Sequence, residues 1–204
     1  MRAAASHINP SRLVAVLTAG VLLALGAGCG SHTAAPLSDR QLSKLVLQPS
    51  ELPGLERFAN AREVSSERSP VLGGDPARFG RQGGWVARYR GSGAAKGPLL
   101  IASTVEMLDS GDGAGKFFGE LRKRDQRVEG ATGLTSVDIP RVGDESYAYA
   151  TPHARPGTIR TVAVTWRDGR FVATAFANGF AERMSVRDVL ALVRRQDRRL
   201  ANAG

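Results

Sequence analysis

Cys29 is the only cysteine in this chain of 204 residues. A thiolate is a nucleophile and a metal ligand, so this position is the first candidate for chemistry. One thiol cannot close an intramolecular disulfide. With one cysteine and three scattered histidines, His7, His32 and His153, the chain has no Cys/His cluster that could hold a structural zinc. Packing must therefore hold the fold, no metal or cofactor is expected, and the chemistry left to Cys29 is modification of its sulfur.

The segment before Cys29 has the layout of a secretory signal. Arg2 and Arg12, with no acidic residue between them, precede the apolar run at 13–25 and the small residues at 26–28. A helix of that apolar run is about 20 Å long at 1.5 Å per residue, which is short of the roughly 30 Å that a stable span must cross. We therefore predict a signal peptide at residues 1–28 and no permanent transmembrane helix.

The stretch LGAGC, which ends at Cys29, resembles the lipobox of bacterial lipoproteins. The resemblance implies that the sulfur is thioether-linked to diacylglycerol and that Cys29 is the first residue of the mature chain. Gly26 departs from the family pattern, which prefers an aliphatic residue there. The alternative is an ordinary signal cleaved near Gly28 that leaves a free thiol. Two acyl chains anchor a protein stably where one binds only marginally, so the lipidated form would be membrane-bound.

The charge balance belongs to the folded part of the chain. The whole chain has 28 Lys and Arg against 19 Asp and Glu, and removal of residues 1–28 takes away two arginines and no acid, which leaves +7. The hydrophobic and charged fractions are those of a globular protein, which excludes wholesale disorder and a collagen-like chain. Residues 29–36 are predicted to be the lipidated cysteine and a flexible spacer, and residues 37–204 one α+β domain.

The segment SGDGAGKF (110–117) invites comparison with a phosphate-binding loop. Such a loop needs glycine where Ser110 lies and a serine or threonine where Phe117 lies, because backbone amides hold the phosphates and the hydroxyl holds magnesium. Its aspartates are also too few for a calcium loop. We interpret 109–115 as a glycine-rich turn.

Two other arrangements could be drawn as catalytic. Asp144 and Glu145 are adjacent carboxylates, but neighbours in a strand point to opposite faces, so we do not expect them to converge on one substrate. Ser146, His153 and Asp144 could form a triad on paper, yet no nucleophile elbow surrounds the serine. No catalytic residue is predicted.

Arginines dominate the end of the chain. Nucleic acid is not expected as their partner in an exported protein. The simplest interpretation is a solvated basic face, and attraction to anionic lipid headgroups or cell-wall polymers is a functional alternative, worth about 1 kcal/mol per cation near a membrane. The arginines are Arg183, Arg187, Arg194, Arg195, Arg198 and Arg199, against Asp188 and Asp197.

The apolar spacing predicts three helices. The first begins after Ser38, with Gln41 in capping-box position, and ends before Pro49. The second carries Ala114, Phe117, Phe118 and Leu121 on one face. The third begins after Ser185. Its apolar face consists of Val186, Val189, Leu190, Val193 and Leu200.

Alternating runs predict the strands. A weak strand is expected at 59–67, a long loop at 69–84, and a hairpin of strands 83–91 and 99–107 joined by a glycine-rich segment. A second pair is predicted at 134–139 and 145–151. A third is predicted at 158–166 and 171–178, with Asp168 and Gly169 in a type I′ turn. The order of helices and strands favours an α+β fold, with a mostly antiparallel sheet and helices on one or both of its faces.

Strand aromatics are expected mainly in the core, and one or two of them could line a pocket between the sheet and the Phe117 helix for an apolar or amphipathic ligand. They are Trp85, Tyr89, Tyr147, Tyr149 and Trp166.

The order of LSKLVLQPSELPG, KFFGELRKR, VGDESYAY, TVAVTWRDGRFVATA and VRRQDRRL resembles secreted or lipid-anchored proteins of actinobacteria and related Gram-positive lineages, over most of residues 37–201. More distantly, it is similar to the extracellular sensor domains of mycobacterial serine/threonine kinases and to the Mog1/PsbP-like α/β/α sandwich. The resemblance implies an extracytoplasmic ligand-binding or interaction module and carries over no catalytic residue.

These observations predict a cell-envelope lipoprotein, held at the outer face of the cytoplasmic membrane through Cys29, whose domain binds a ligand without catalysis. A cell-envelope hydrolase is one alternative. A structural partner of a larger envelope complex is another. Partners in keeping with the main interpretation are the membrane itself, a small apolar ligand or an envelope protein, and not nucleic acid.

Overall fold

The computed structural model describes residues 35–62, 76–91 and 97–204. The predicted signal at 1–28, Cys29 and spacer residues 30–34 lie outside the described residues. So do 63–67 of the predicted first strand, 69–75 of the predicted loop and residues 92–96 of the segment joining the first hairpin. The predicted boundaries between the signal peptide (1–28), the spacer (29–36) and the domain (37–204) therefore stay a prediction.

The described residues contain three α-helices, each begun by a serine. The helix α1 (Asp39–Leu45) follows Ser38, α2 (Gly111–Val128) follows Ser110, and α3 (Val186–Ala201) follows Ser185. Each serine hydroxyl accepts a hydrogen bond from a backbone N–H of the first turn, which is the side-chain cap that favours a helix start. At α1 the side chain of Gln41 reaches back to the serine N–H and completes the capping box, as predicted, and at α3 Asp188 does the same.

Seven strands of the described residues form one antiparallel sheet in the order β1-β2-β3-β7-β6-β5-β4. An α+β fold with a mainly antiparallel sheet flanked by helices is therefore confirmed; its similarity to the Mog1/PsbP-like sandwich stays a prediction. The strands are β1 (Leu55–Arg62), β2 (Arg81–Gly91), β3 (Leu100–Leu108), β4 (Thr135–Ser136), β5 (Glu145–Ala150), β6 (Ile159–Asp168) and β7 (Phe171–Phe180).

The larger apolar cluster lies between one face of the sheet and the helices α1 and α3. The alternation predicted for β3 is confirmed, because Ile101, Ser103, Val105 and Met107 all face this cluster and are buried. The predicted apolar faces of α1 and α3 pack against them, while Trp166 from β6 is fully buried in the same layer.

The smaller cluster lies on the opposite face of the sheet, beneath α2. Ala114, Phe117, Phe118 and Leu121 are buried there, as their spacing predicts. The ring of Phe118 packs on Tyr147 of β5 with centroids 5.3 Å apart. Helices therefore cover both faces of the sheet, and every residue of β5 from 147 to 150 is buried.

Two boundaries in the first half differ from the prediction. Strand β1 begins at Leu55, four residues before the predicted start, and β2 begins at Arg81, inside the predicted loop. Gly84 pairs with Glu106 of β3 within β2, and a side chain there would collide with the carboxylate of Glu106 and the guanidinium of Arg81. These two groups form a largely buried ion pair beside it. The glycine makes room for the ion pair and does not mark a loop.

Two turns also differ from the prediction. The predicted turn at 109–115 is wrong from residue 111 onward, because the Ser110 cap starts α2 at Gly111 despite the glycines in its first turns. In the hairpin of β6 and β7, Asp168 pairs with Phe171, so the two turn residues are Gly169 and Arg170. Only Gly169 has a positive φ, which is the pattern of a type II′ turn and not of type I′.

Candidate functional site

A cleft of about 520 Å³ opens between the second half of α2 and the sheet. It is on the face of the sheet that carries the Phe117 helix, where the sequence places a possible ligand pocket. Its size is within the range of small-molecule sites, about 300–1,000 Å³. The lining residues are Arg124, Asp125, Glu129, Thr132, Leu134, Tyr149, Ala163, Thr165, Thr174 and Phe176.

Small side chains on neighbouring strands form the floor of the cleft. Thr165 of β6 lies opposite Thr174 of β7, and their hydroxyl oxygens are 3.1 Å apart. Two pairs further along, on the same face of the sheet, Ala163 of β6 lies opposite Phe176. Alanine and threonine fill less volume than the rings on either side, so the sheet surface is depressed here. The floor offers two hydroxyls between apolar surfaces.

A hydrogen-bonded group holds the α2 wall. The guanidinium of Arg124 contacts Asp125 Oδ1 at 2.6 Å, and the hydroxyl of Tyr147 donates to Asp125 Oδ2 at 2.8 Å. The second bond joins α2 to β5 and fixes the position of the helix over the sheet. Because each partner restrains the other, the wall of the cleft is preorganised for binding.

The opposite wall comes from the segment after α2. Glu129 accepts a hydrogen bond from the backbone N–H of Ser136 at 2.6 Å, which closes the connection between α2 and β4. Leu134 and Tyr149 supply apolar surface on this side. The ring of Tyr149 meets Tyr147 edge to face, with centroids 5.7 Å apart.

The electrostatics of the cleft keep its tyrosines neutral. Burial raises the pKa of Tyr147, and the charge of Asp125 raises it further. Burial also raises the pKa of Tyr149, helped by the charges of Glu129 and Asp125. Both hydroxyls stay protonated across the physiological range. The cleft can therefore bind a molecule with an apolar body and a polar edge by packing and hydrogen bonds.

The adjacent carboxylates are part of a structural ion pair. Asp144 and Glu145 both contact the guanidinium of Arg167, at 2.9 and 3.0 Å. The expectation that they would diverge is wrong, because Asp144 precedes β5 and strand alternation does not apply to it. Asp144 also accepts from the backbone N–H of Gly169 at 3.0 Å. The two acids hold the ends of β5 and β6 together.

Ser146, His153 and the phosphate-loop segment form no site. Ser146 accepts a hydrogen bond from the N–H of Val142 near the start of β5. His153 lies past the other end of that strand, which at about 3.3 Å per residue places it more than 10 Å away. Asp112 pairs with Lys116 one turn along α2 at 2.7 Å. Among the described residues no group of acids, histidines or cysteines could hold a metal ion.

The terminal arginines do not form one stripe. Arg199 binds Glu51 at 2.7 Å and the carbonyl oxygen of Val46 at 3.0 Å, so it ties α3 to the segment after α1. Arg183 lies over the ring of Phe180. The rest are exposed on the outer surface of α3: Arg187, Arg194, Arg195 and Arg198.

Three aspartates lie close together where β5, β6 and α3 meet. Burial raises the pKa of Asp197, and the charge of Asp144 raises it further. A hydrogen bond from the Gly143 N–H lowers the pKa in part. Burial and the charges of Asp197 and Asp144 raise the pKa of Asp168. A raised pKa means that the folded state binds the proton more tightly than the unfolded chain, so ionisation of Asp168 and Asp197 weakens the fold.

The substitution Asp197→Asn is therefore expected to raise the melting temperature at pH 7 by a few degrees. The gain should shrink as the pH falls and vanish below about pH 3.9, where aspartate is protonated in the unfolded chain too. Thermal unfolding of both proteins from pH 3 to pH 8 measures this. Asp138→Asn, at an exposed position, is the control and should shift the melting temperature little. Equal gains for Asp197→Asn at low and neutral pH would contradict the electrostatic cause.

No helix of the described residues combines the length and the apolar composition that crossing a membrane requires. No protein-family model matches the chain, and no curated protein matches it. Among solved structures, it is similar to the extracellular domain of PknH from Mycobacterium tuberculosis, with a TM-score of 0.61 and 12% sequence identity. The match covers 83% of this chain and 99% of that domain. The resemblance to mycobacterial kinase extracellular domains is thus confirmed at the level of the fold.

Proposed function

We propose that this chain is an exported lipoprotein whose α+β domain binds a small molecule in the cleft under α2. The cleft carries the proposal: it has a ligand-sized volume, a floor with two hydroxyls and walls held by Asp125 and Glu129. Its ligand combines an apolar body, packed on Leu134, Tyr149 and Phe176, with polar groups that face the rim. Binding without turnover suits this chemistry.

The location is proposed from the N-terminal sequence. The signal layout at 1–28 and the lipobox-like LGAGC support export and a lipid on Cys29, at the outer face of the cytoplasmic membrane. The domain of PknH that shares the fold is an extracellular one, which is in keeping with this location.

No specific observation favours either alternative function, a cell-envelope hydrolase or a structural partner of an envelope complex. In the described part of the chain, Ser146 and His153 lie outside the lining of the cleft, whereas a hydrolase that used them there would need both side chains in it. The described large apolar side chains that are exposed are Phe58 and Ile159. They belong to β1 and β6, with three strands between them, so they form no continuous docking patch.

The substitution Ala163→Phe tests the cleft. A phenyl ring at this position fills the depression between Tyr149 and Phe176, and because Ala163 borders open space the ring should fit without unfolding the domain. Native mass spectrometry of the protein isolated from its own host should show a non-covalent small molecule on the wild type and at least a tenfold loss of it in the variant.

The matched control is Ala61→Phe, at an exposed position of the edge strand β1. It should keep the bound molecule. A ligand retained equally by Ala163→Phe and Ala61→Phe, or a wild-type protein that carries none, would contradict binding in this cleft.

A further inference from the structure

We infer that the outer surface of the α1 and α3 layer is a docking surface for a membrane rich in anionic phospholipid, and that it orients the domain with the α2 cleft away from the bilayer. The inference rests on the proposed location beside a membrane. The surface, named here the basic face, consists of Arg40, Lys44, Arg187, Arg194, Arg195 and Arg198.

Helical spacing aligns the cations of α3. Arg187, Arg194 and Arg198 are separated by seven and four residues, so they fall on one side of the helix. That side points away from the sheet, because the buried residues Val189 and Val193 face the core. All three arginines are exposed, as a headgroup contact requires.

The helix α1 extends the same surface. Its buried residues are Leu42 and Leu45, and Arg40 and Lys44, four residues apart, point the opposite way. A second cleft of about 490 Å³ lies between α1 and the end of α3, with Lys44 in its lining. The two helices therefore lie side by side in the layer that covers this face of the sheet.

The acidic side chains of this surface are occupied by local contacts. Asp188 accepts hydrogen bonds from the N–H and the hydroxyl of Ser185 as part of the α3 cap. Asp39, in the first turn of α1, lies 3.8 Å from the guanidinium of Arg62. Six cations against these two carboxylates leave the basic face with an excess of positive charge.

An anionic membrane is the partner that fits both the charge and the proposed anchor. The seven residues at 30–36, fully extended, span at most about 25 Å, so an anchor at Cys29 keeps the domain near the headgroups. Attraction between exposed charges is screened beyond roughly 8–10 Å at ordinary salt. Because α1 and α3 cover one face of the sheet and α2 the other, docking through the basic face leaves the cleft open to the outside.

The test uses the full chain, extracted from host membranes and placed in nanodiscs of phosphatidylcholine alone or with phosphatidylglycerol. A donor fluorophore is attached through Ala191→Cys on the outer surface of α3, or through Gln126→Cys on α2, and energy transfer to an acceptor at the bilayer surface is measured. Transfer should be strong at position 191, weak at position 126, dependent on phosphatidylglycerol and reduced at about 1 M salt, where screening acts within about 3 Å.

Charge-matched variants separate the surface from net charge. One variant combines Arg187→Gln, Arg194→Gln and Arg198→Gln; its control combines Arg122→Gln, Lys123→Gln and Arg127→Gln, three exposed cations of α2. Each cation near an anionic membrane contributes about fivefold to binding. The first variant, which loses three cations, should therefore lower the equilibrium constant for docking by about 100-fold. The control should leave it nearly unchanged.

The outcomes also separate this inference from the anchor. If mass analysis finds Cys29 unmodified, the unlabelled variants are compared by cosedimentation with vesicles of the same two compositions, and the same order is expected. Equal effects of the two triple variants would overturn the inference. Docking that does not depend on phosphatidylglycerol would also overturn it. So would binding to an anionic cell-wall polymer and not to the anionic membrane.

Discussion

The substitution Cys29→Ala is expected to move the processed protein from the membrane fraction to the soluble fraction. Two acyl chains anchor a protein stably, and removing their attachment point should shift the distribution by more than about 100-fold. Phase separation in a detergent solution, followed by mass analysis of each phase, measures the change on chains from which residues 1–28 have been removed.

The matched control is Ser31→Ala, two residues along the spacer, which keeps the cysteine. It should stay with the membrane. Processed Cys29→Ala protein that partitions like Ser31→Ala would contradict a lipid anchor at this residue.

The substitution Gln196→Leu is expected to lower the free energy of unfolding by about 3 kcal/mol. Gln196 is fully buried in α3, where its amide oxygen accepts from the hydroxyl of Ser103 at 2.7 Å and its amide nitrogen donates to the carbonyl oxygen of Thr104 at 3.0 Å. The Ser103 oxygen in turn accepts from the N–H of Leu47. Leucine leaves the Ser103 hydroxyl buried without its acceptor, and such groups are costly.

Thermal and urea unfolding measure this loss, which corresponds to about 6–12 °C in melting temperature for a chain of this size. Gln126→Leu, on the exposed side of α2, is the control and should change stability little. A double-mutant cycle with Ser103→Ala should give a cost well below the sum of the single substitutions, because the two side chains share one network. Additive costs would contradict that network.

Local periodicity predicted most of the architecture. The apolar stripe from Ala114 to Leu121 identified α2 and the sheet face beneath it, and the serine caps identified where α1 and α3 begin. The alternation of β3 predicted its buried side. These signals are local, because caps and stripes depend on residues within one or two turns.

Errors arose where a distant contact decided the local structure. The buried pair of Arg81 and Glu106 leaves no room for a side chain at Gly84, so a strand residue is a glycine there, and no local pattern reports that pair. Two side chains that hold the fold and the cleft were also missed. Gln196 lies on the apolar face of α3, three residues after Val193, and Asp125 lies four residues after Leu121 on the corresponding face of α2. A polar residue at an apolar position of a helix is the signal that would have found both.

From the sequence, only the layer of the fold that holds the cleft could be predicted. Strand alternation and the Phe117 helix indicated which layer could hold a pocket, and Tyr149 lies in its lining as one of the candidate aromatics. The depression depends on Ala163 and Thr165 lying opposite Phe176 and Thr174, a register fixed by the turn at Gly169. The segment that closes the wall, around Leu134, is predicted as a strand at 134–139, and that prediction is wrong beyond the short strand Thr135–Ser136.

The most direct test of the anchored state is the intact mass, under denaturing conditions, of the protein extracted from host membranes. We predict a chain that begins at Cys29 and carries the added mass of a diacylglycerol on that residue. A mature chain with an unmodified thiol, or one that begins at a different residue, would contradict the account.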